Sequence, residues 1–233
     1  MVIPDPRFAA GATIENLAAA AIKGGAAAIQ LRIKGLPGAG LVALGRRLAA
    51  ACRECGALFF VNDDAAAALA CRADGVHVGP GDNVPAQPCG ADAGRVCPGD
   101  SAPAQARQLL GERGLVGVSV YTDEDLEQAE AARADYVAIG AVYPTGTKAI
   151  AVVGLEGVRR LRAKTRLPII AIGGIDATNA AAAIAAGADG VAVISAVSGA
   201  RDPEAATREL CTRVAAALEV RSRRQDPAAC TGS

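Results

Sequence analysis

The chain has 233 residues, 52% hydrophobic and only 3% aromatic, and its 24 basic side chains balance 24 acidic ones. That length suits one domain with a large buried core. Balanced charge supplies no global field for nucleic acid or an anionic membrane, so any anion site must be built locally.

In chain order, short apolar runs alternate with Ala-rich helical stretches. Val2-Ile3 reads as a clipped first strand, followed by a helix over 12–23. The next runs are 28–31, 58–61, 75–78, 115–120, 136–139, 169–172 and 191–194. They are nearly continuous rather than alternating, as expected of parallel strands covered on both faces. Helices are expected over 39–55, 64–71, 102–112, 123–132, 154–165, 177–186 and 203–218. Thr122 before Asp123-Glu124-Asp125, and Asp202-Pro203-Glu204, carry helix-start signals. The segment 83–102 has no clear period and reads as a surface excursion. Eight strand–helix units of this size predict an α/β protein, a single-domain (β/α)8 TIM barrel over 1–220, with 221–233 a frayed tail. An open doubly wound sheet is the rival, but no G-x-G-x-x-G is present. No apolar run is long enough to cross a bilayer, and Met1 leads into Val2-Ile3-Pro4-Asp5 without a basic stretch, so the expected location is cytoplasmic.

Catalytic residues of such barrels sit where strands end. Gln30, Arg32 and Lys34 alternate along one strand end, so all three face the same side. An amide and two cations there suit a diphosphate. Asp63 lies in the strand end Phe59-Phe60-Val61-Asn62-Asp63-Asp64, and Asp82 follows the next strand. Carboxylates on adjacent strand ends can share one magnesium ion. Asp64 is better read as a helix-start residue. His77, the one histidine, lies between Val76 and Val78 and reads as a packed or structurally bonded ring. Ser119 ends the next strand, and Thr145-Gly146-Thr147-Lys148 supplies further donors without matching a P-loop. Gly173-Gly174 and Ile194-Ser195 close the last two strands, where barrels often hold a phosphate. Residue spacing alone therefore implies an enzyme that joins or splits phosphorylated small molecules.

The blocks QLRIK at 30–34, FVNDD at 60–64, ADGVHVGPGD at 73–82, GVSVYT at 117–122, ADYVAIGAVYPTGTK at 134–148 and PIIAIGGIDATNAAAAIAAGADGVAVISAV at 168–197 stand in one order. Together they resemble the thiamine-phosphate synthase family. The resemblance implies a transferase of thiamine biosynthesis that condenses 4-amino-2-methyl-5-hydroxymethylpyrimidine diphosphate with 4-methyl-5-(2-phosphoethyl)thiazole, releasing pyrophosphate. It implies that Gln30, Arg32, Lys34, Asn62, Ser119 and Lys148 contact the pyrimidine diphosphate, with catalytic roles for Arg32, Lys34, Ser119 and Lys148. Asp63 and Asp82 would hold Mg2+, and Thr145, Gly146, Thr147, Gly174, Ile194 and Ser195 would cradle the thiazole phosphate. The partners implied are small phosphorylated substrates, not nucleic acid or membrane, and a homo-oligomer is left open.

The chain departs from the family pattern at its shortened first strand, at Pro80 in place of the usual glutamine, and in the longer 83–102 excursion. Two alternatives follow: a thiazole-tautomerase-like barrel, whose chemistry leans on a histidine, and a non-catalytic barrel that binds thiamine precursors. The seven cysteines include one CxxC, Cys52 and Cys55, with no second ligand pair, and are expected to be reduced and unpaired.

Overall fold

A computed structural model describes residues 1–36, 38–79, 102–146 and 151–225. Parallel strands β1 (Ala28–Leu31), β2 (Leu58–Asn62), β3 (Gly75–Val78), β4 (Leu115–Ser119), β5 (Tyr136–Ile139), β6 (Ile169–Ile172) and β7 (Gly190–Ala192) are hydrogen-bonded in sequence order. Helix α1 (Ile14–Lys23) precedes β1. Helices α2 (Gly38–Glu54), α3 (Ala65–Cys71), α4 (Ala102–Leu110), α5 (Asp123–Ala131), α6 (Gly154–Lys164) and α7 (Ala180–Ala185) each connect one strand to the next. After β7 come the short α8 (Ser195–Ser198) and the long α9 (Pro203–Gln225).

The clipped first strand closes the barrel. Val2 bridges Ile29 on one side and Val193 on the other, both in parallel. Its N–H donates to the Ala28 carbonyl at 2.8 Å, its carbonyl accepts from Gln30 at 2.9 Å, and the Ile3 N–H reaches the Val193 carbonyl at 2.9 Å. A segment this short suffices because each of its edges meets a strand already held by its own neighbours.

The nearly continuous apolar runs conceal a two-residue alternation. Ile29, Leu31, Phe59, Val61, Val76, Val78, Val116 and Val118 point outward into the large core shared with the helices. Burying one such side chain as fully as Phe59 contributes about 1.5–3 kcal/mol. The alternate positions point into the barrel. There Ala28, Phe60 and Tyr136 pack with Met1, Leu115 and Ile170 as a separate small cluster. Phe60 meets Tyr136 edge-on, with ring centroids 5.6 Å apart. Apolar packing in this lower interior leaves the polar residues gathered toward the strands' C-terminal ends.

Local signals set several helix starts. Thr122 and Asp125 form a reciprocal capping box at α5, Asp64 accepts the Ala67 N–H at 2.7 Å to cap α3, and Asp202 accepts the Ala205 N–H at 3.0 Å before α9. Helix α9 runs past residue 220, where the tail is expected to begin, through Arg221 to Gln225. Few large apolar groups follow residue 220, but the Arg221 guanidinium donates to the Ile184 and Ala188 carbonyls and pairs with Asp189 at 2.7 Å. A cation over the C-terminal carbonyls of α7 holds this last stretch in place of apolar packing. Cys52, Cys55, Cys71 and Cys211 are free thiols. Cys89, Cys97 and Cys230 lie outside the described residues, as do Pro80 and most of the 83–102 excursion. No helix among the described residues is long and apolar enough to cross a membrane.

Candidate active site

The C-terminal ends of the strands open onto one pocket of about 420 Å³. β1 delivers Gln30, which is 3% exposed, and the chain beyond it places Arg32 half-buried and Lys34 exposed on the same wall. The Gln30 amide nitrogen donates to the Met1 sulfur at 3.4 Å, so the closing segment also braces this side chain.

β2 ends in Asn62 and Asp63, both half-buried and both on the pocket wall. Asp63 has φ 65°, in the left-handed region that side chains other than glycine, asparagine and aspartate rarely occupy. Its N–H donates to the His77 carbonyl at 2.8 Å, tying this turn to β3. The two neighbouring acids therefore do different work: Asp64 caps α3, while Asp63 is held at the mouth.

Inside the barrel, His77, Ser119 and Tyr136 meet across β3, β4 and β5. One ring nitrogen of His77 lies 3.0 Å from the Tyr136 hydroxyl, and the other lies 3.0 Å from the Ser119 hydroxyl. The imidazole is structurally bonded, as expected, and also lines the pocket. Burial, reinforced by the nearby Asp135 charge, pushes the Tyr136 phenol well above its usual range, so it stays protonated. A Cβ on Gly117 would stand 2.0 Å from Cζ of Tyr136, so glycine there makes room for the ring.

Across the mouth, Gly173 and Gly174 have φ 95° and 64°. The sequence reading has this pair clearing space for an anion. Packing supplies a reason of its own, because a Cβ on Gly174 would lie 2.5 Å from the Pro144 carbonyl oxygen and 2.8 Å from Cβ of Tyr143. The Tyr143 N–H donates to the Gly173 carbonyl at 3.0 Å, and Asn179 donates to the Gly174 carbonyl at 2.8 Å. The loops after β5 and β6 are thus packed backbone to backbone, and α8 opens beside them with Ser195 exposed to the pocket.

Gln30, Arg32, Lys34, Asn62, Asp63, Ser119, Thr145, Gly174, Ile194 and Ser195 all line this one pocket. Gly146 is exposed and is not among the residues that line it. Asp82, Thr147 and Lys148 lie outside the described residues. Sequence reasoning missed Met1, Tyr121 and Tyr136 on the wall. Tyr136 carried a weak signal, as a polar aromatic opening an otherwise apolar run at an inward register.

A parallel barrel closed by its own N-terminal segment, with one polar pocket at the strand C-termini, defines a TIM-barrel enzyme. The family model described as thiamine monophosphate synthase matches residues 1–197. Thiamine-phosphate synthase of Moorella thermoacetica is 44% identical over 211 residues, covering 90% of this chain and 92% of that protein. That of a Roseiflexus species is 42% identical, covering 95% and 87%. Among solved structures, thiamine phosphate pyrophosphorylase from Pyrococcus furiosus superposes with a TM-score of 0.77 at 38% identity, covering 93% of this chain and 95% of that one. The chain belongs to the thiamine-phosphate synthase family.

Proposed function

We propose that this chain condenses 4-amino-2-methyl-5-hydroxymethylpyrimidine diphosphate with 4-methyl-5-(2-phosphoethyl)thiazole, giving thiamine phosphate and pyrophosphate. What supports this reading is that one pocket gathers two sets of candidate residues, which the strand order separates into two arcs. Gln30, Arg32, Lys34, Asn62, Asp63 and Ser119 form one, and Thr145, Gly174, Ile194 and Ser195 form the other. The first arc suits a diphosphate and the second a monophosphate.

The pyrimidine methylene carbon–oxygen bond breaks, and its electron pair leaves with pyrophosphate. Arg32 and Lys34 stabilise that leaving anion, and Ser119 hydrogen-bonds it, from positions set before the reaction begins. The thiazole nitrogen then uses its lone pair to form the new carbon–nitrogen bond. Anchoring its phosphate in the second arc makes that approach intramolecular in effect. No protein nucleophile is required.

Asp63 fits one position in a magnesium site: it is an oxygen donor, fixed in an uncommon backbone conformation, at the end of the strand beside the cationic arc. Asp82 is the second ligand in this proposal. When bound, magnesium would neutralise diphosphate charge and so ease departure of the pyrophosphate. The remaining ligands would come from substrate oxygens and water.

The test is incubation of the purified protein with both precursors and magnesium. Thiamine phosphate and pyrophosphate in equal amounts are expected. Isomerised thiazole phosphate alone would instead mark a tautomerase, and binding without product a precursor-binding barrel.

A further inference from the structure

We propose that Tyr136 is a positioning residue for Ser119, acting through His77 so that the Ser119 hydroxyl is presented to the pocket as a hydrogen-bond donor. The identity of the anion it meets rests on the synthase reading, whereas the direction of the hydrogen bonds does not.

Three side chains form an unbroken line from the barrel interior to its mouth: the Tyr136 hydroxyl, the two ring nitrogens of His77, and Oγ of Ser119, with 3.0 Å at each step. A neutral imidazole has one donor nitrogen and one acceptor nitrogen, so the line can run in only two directions. Running outward, the Tyr136 O–H donates to Nδ1, the Nε2–H donates to Oγ, and the Ser119 proton is left for the pocket. Running inward, the Ser119 O–H donates to Nε2, the Nδ1–H donates to the phenol oxygen, and the phenol proton must find another acceptor.

The surroundings of Tyr136 decide between them. Its residue is 8% exposed, Phe60 stands edge-on to the ring, and Gly117 offers no side chain. Among the described residues, His77 is the one hydrogen-bond partner of the phenol. The inward direction would leave the O–H of this buried residue with no acceptor among the described protein groups. The outward direction leaves only a spare lone pair, which costs far less. A doubly protonated ring would orphan the phenol proton in the same way. Burial also keeps the phenol protonated and able to donate.

The outward direction matches what an anion needs. Ser119 shares the pocket wall with Gln30, Arg32 and Asn62, and a donor there attracts a diphosphate oxygen that a lone pair would repel. The ring is steered into line by packing: His77 and Tyr136 stack with centroids 5.6 Å apart and planes 24° apart, in space that Gly117 leaves open.

The sequence contains a single histidine, so the imidazole signals of the 15N-labelled protein belong to His77 without assignment. NMR of the full chain at neutral pH is expected to show the Nε2–H tautomer. Tyr136→Phe keeps the ring and removes the donor, so the tautomer preference should be lost and kcat/KM should fall about tenfold. In a Ser119→Ala background the same substitution should cost less than about twofold, because the group it acts through is gone. An Nδ1–H tautomer in the wild type, an unchanged tautomer in Tyr136→Phe, or fully additive losses would each overturn the proposal. A folded protein that shows the expected tautomer but forms no thiamine phosphate would sink the synthase reading instead.

Discussion

Asp74 grips Phe59 by both backbone polar atoms: its N–H donates to the Phe59 carbonyl at 2.9 Å, and its Oδ2 accepts the Phe59 N–H at 2.8 Å. Asp135 holds Val116 in the same way, at 2.8 and 2.7 Å, and Asp189 holds Ile169 at 2.7 and 2.9 Å. These acids immediately precede β3, β5 and β7, at the end of the barrel away from the pocket. Each follows an alanine whose N–H returns to the preceding helix, Ala73 to Ala68, Ala134 to Ala129 and Ala188 to Ala183. The same A-D-x-V word at 73–76, 134–137 and 188–191 therefore builds the same clamp on alternate strands.

Clamps at this face serve stability rather than turnover. Asp189→Ala should lower unfolding free energy by about 2 kcal/mol, because the Ile169 N–H loses its acceptor and Arg162 and Arg221 lose their shared partner. Urea denaturation reads the loss. The folded fraction should keep its kcat, and a parallel fall in kcat would contradict this assignment.

Asp63 separates charge from shape. Asp63→Asn keeps a side chain that tolerates φ 65°, so its melting temperature should stay near wild type while kcat drops by at least about 100-fold. Asp63→Ala should lose both activity and about 1 kcal/mol of stability. Near-normal turnover in the asparagine variant would contradict the proposed magnesium role of Asp63.

Gly174 and Ser195 lie on the same arc but should respond differently. Gly174→Val places a side chain against Pro144 and Tyr143 at φ 64°, so it should displace that loop and lower stability together with activity. Ser195→Ala removes one exposed hydroxyl. It should raise KM for the thiazole phosphate about fivefold, with little change in melting temperature or in KM for the pyrimidine. Equal effects on both substrates would argue against two arcs.

The CxxC pair should behave as two unrelated thiols. Burial pushes Cys52 up to about 12, whereas Cys55 is exposed just beyond α2. Alkylation of the native protein at pH 8, mapped by mass spectrometry, should modify Cys55 and spare Cys52. Modification of both at equal rates would mean that α2 opens readily.

Asp5 supplies a pH dependence. The hydrogen bond from the Arg7 side chain holds its carboxyl below the usual range, against the opposing effect of burial. The folded state therefore binds this proton more weakly than the unfolded chain does. The resulting stabilisation is complete above the unfolded value of about 4 and disappears as pH falls through the lowered folded value. Asp5→Asn should flatten the acid limb of the stability curve below pH 4 and leave the alkaline limb unchanged. An acid limb identical to wild type would show that the pair contributes nothing.

Much of this protein is readable from neighbours along the chain. The 75–78 run is β3 to the residue, Thr122 starts α5 through contacts within four positions, and the alternation of Gln30, Arg32 and Lys34 places all three on one wall. Strand period, capping and side-chain direction are local properties, decided by backbone geometry over a few residues. What only the closed barrel decides is who meets whom. His77 finds Ser119 and Tyr136 at separations of 42 and 59 residues, and Val2 joins Ile29 to Val193. Gly174 owes its missing side chain to a loop that comes thirty residues earlier. These contacts form only when the strands curl until the first meets the last. No local preference encodes that distance, so the direction of a proton in the pocket is a property of the tertiary structure.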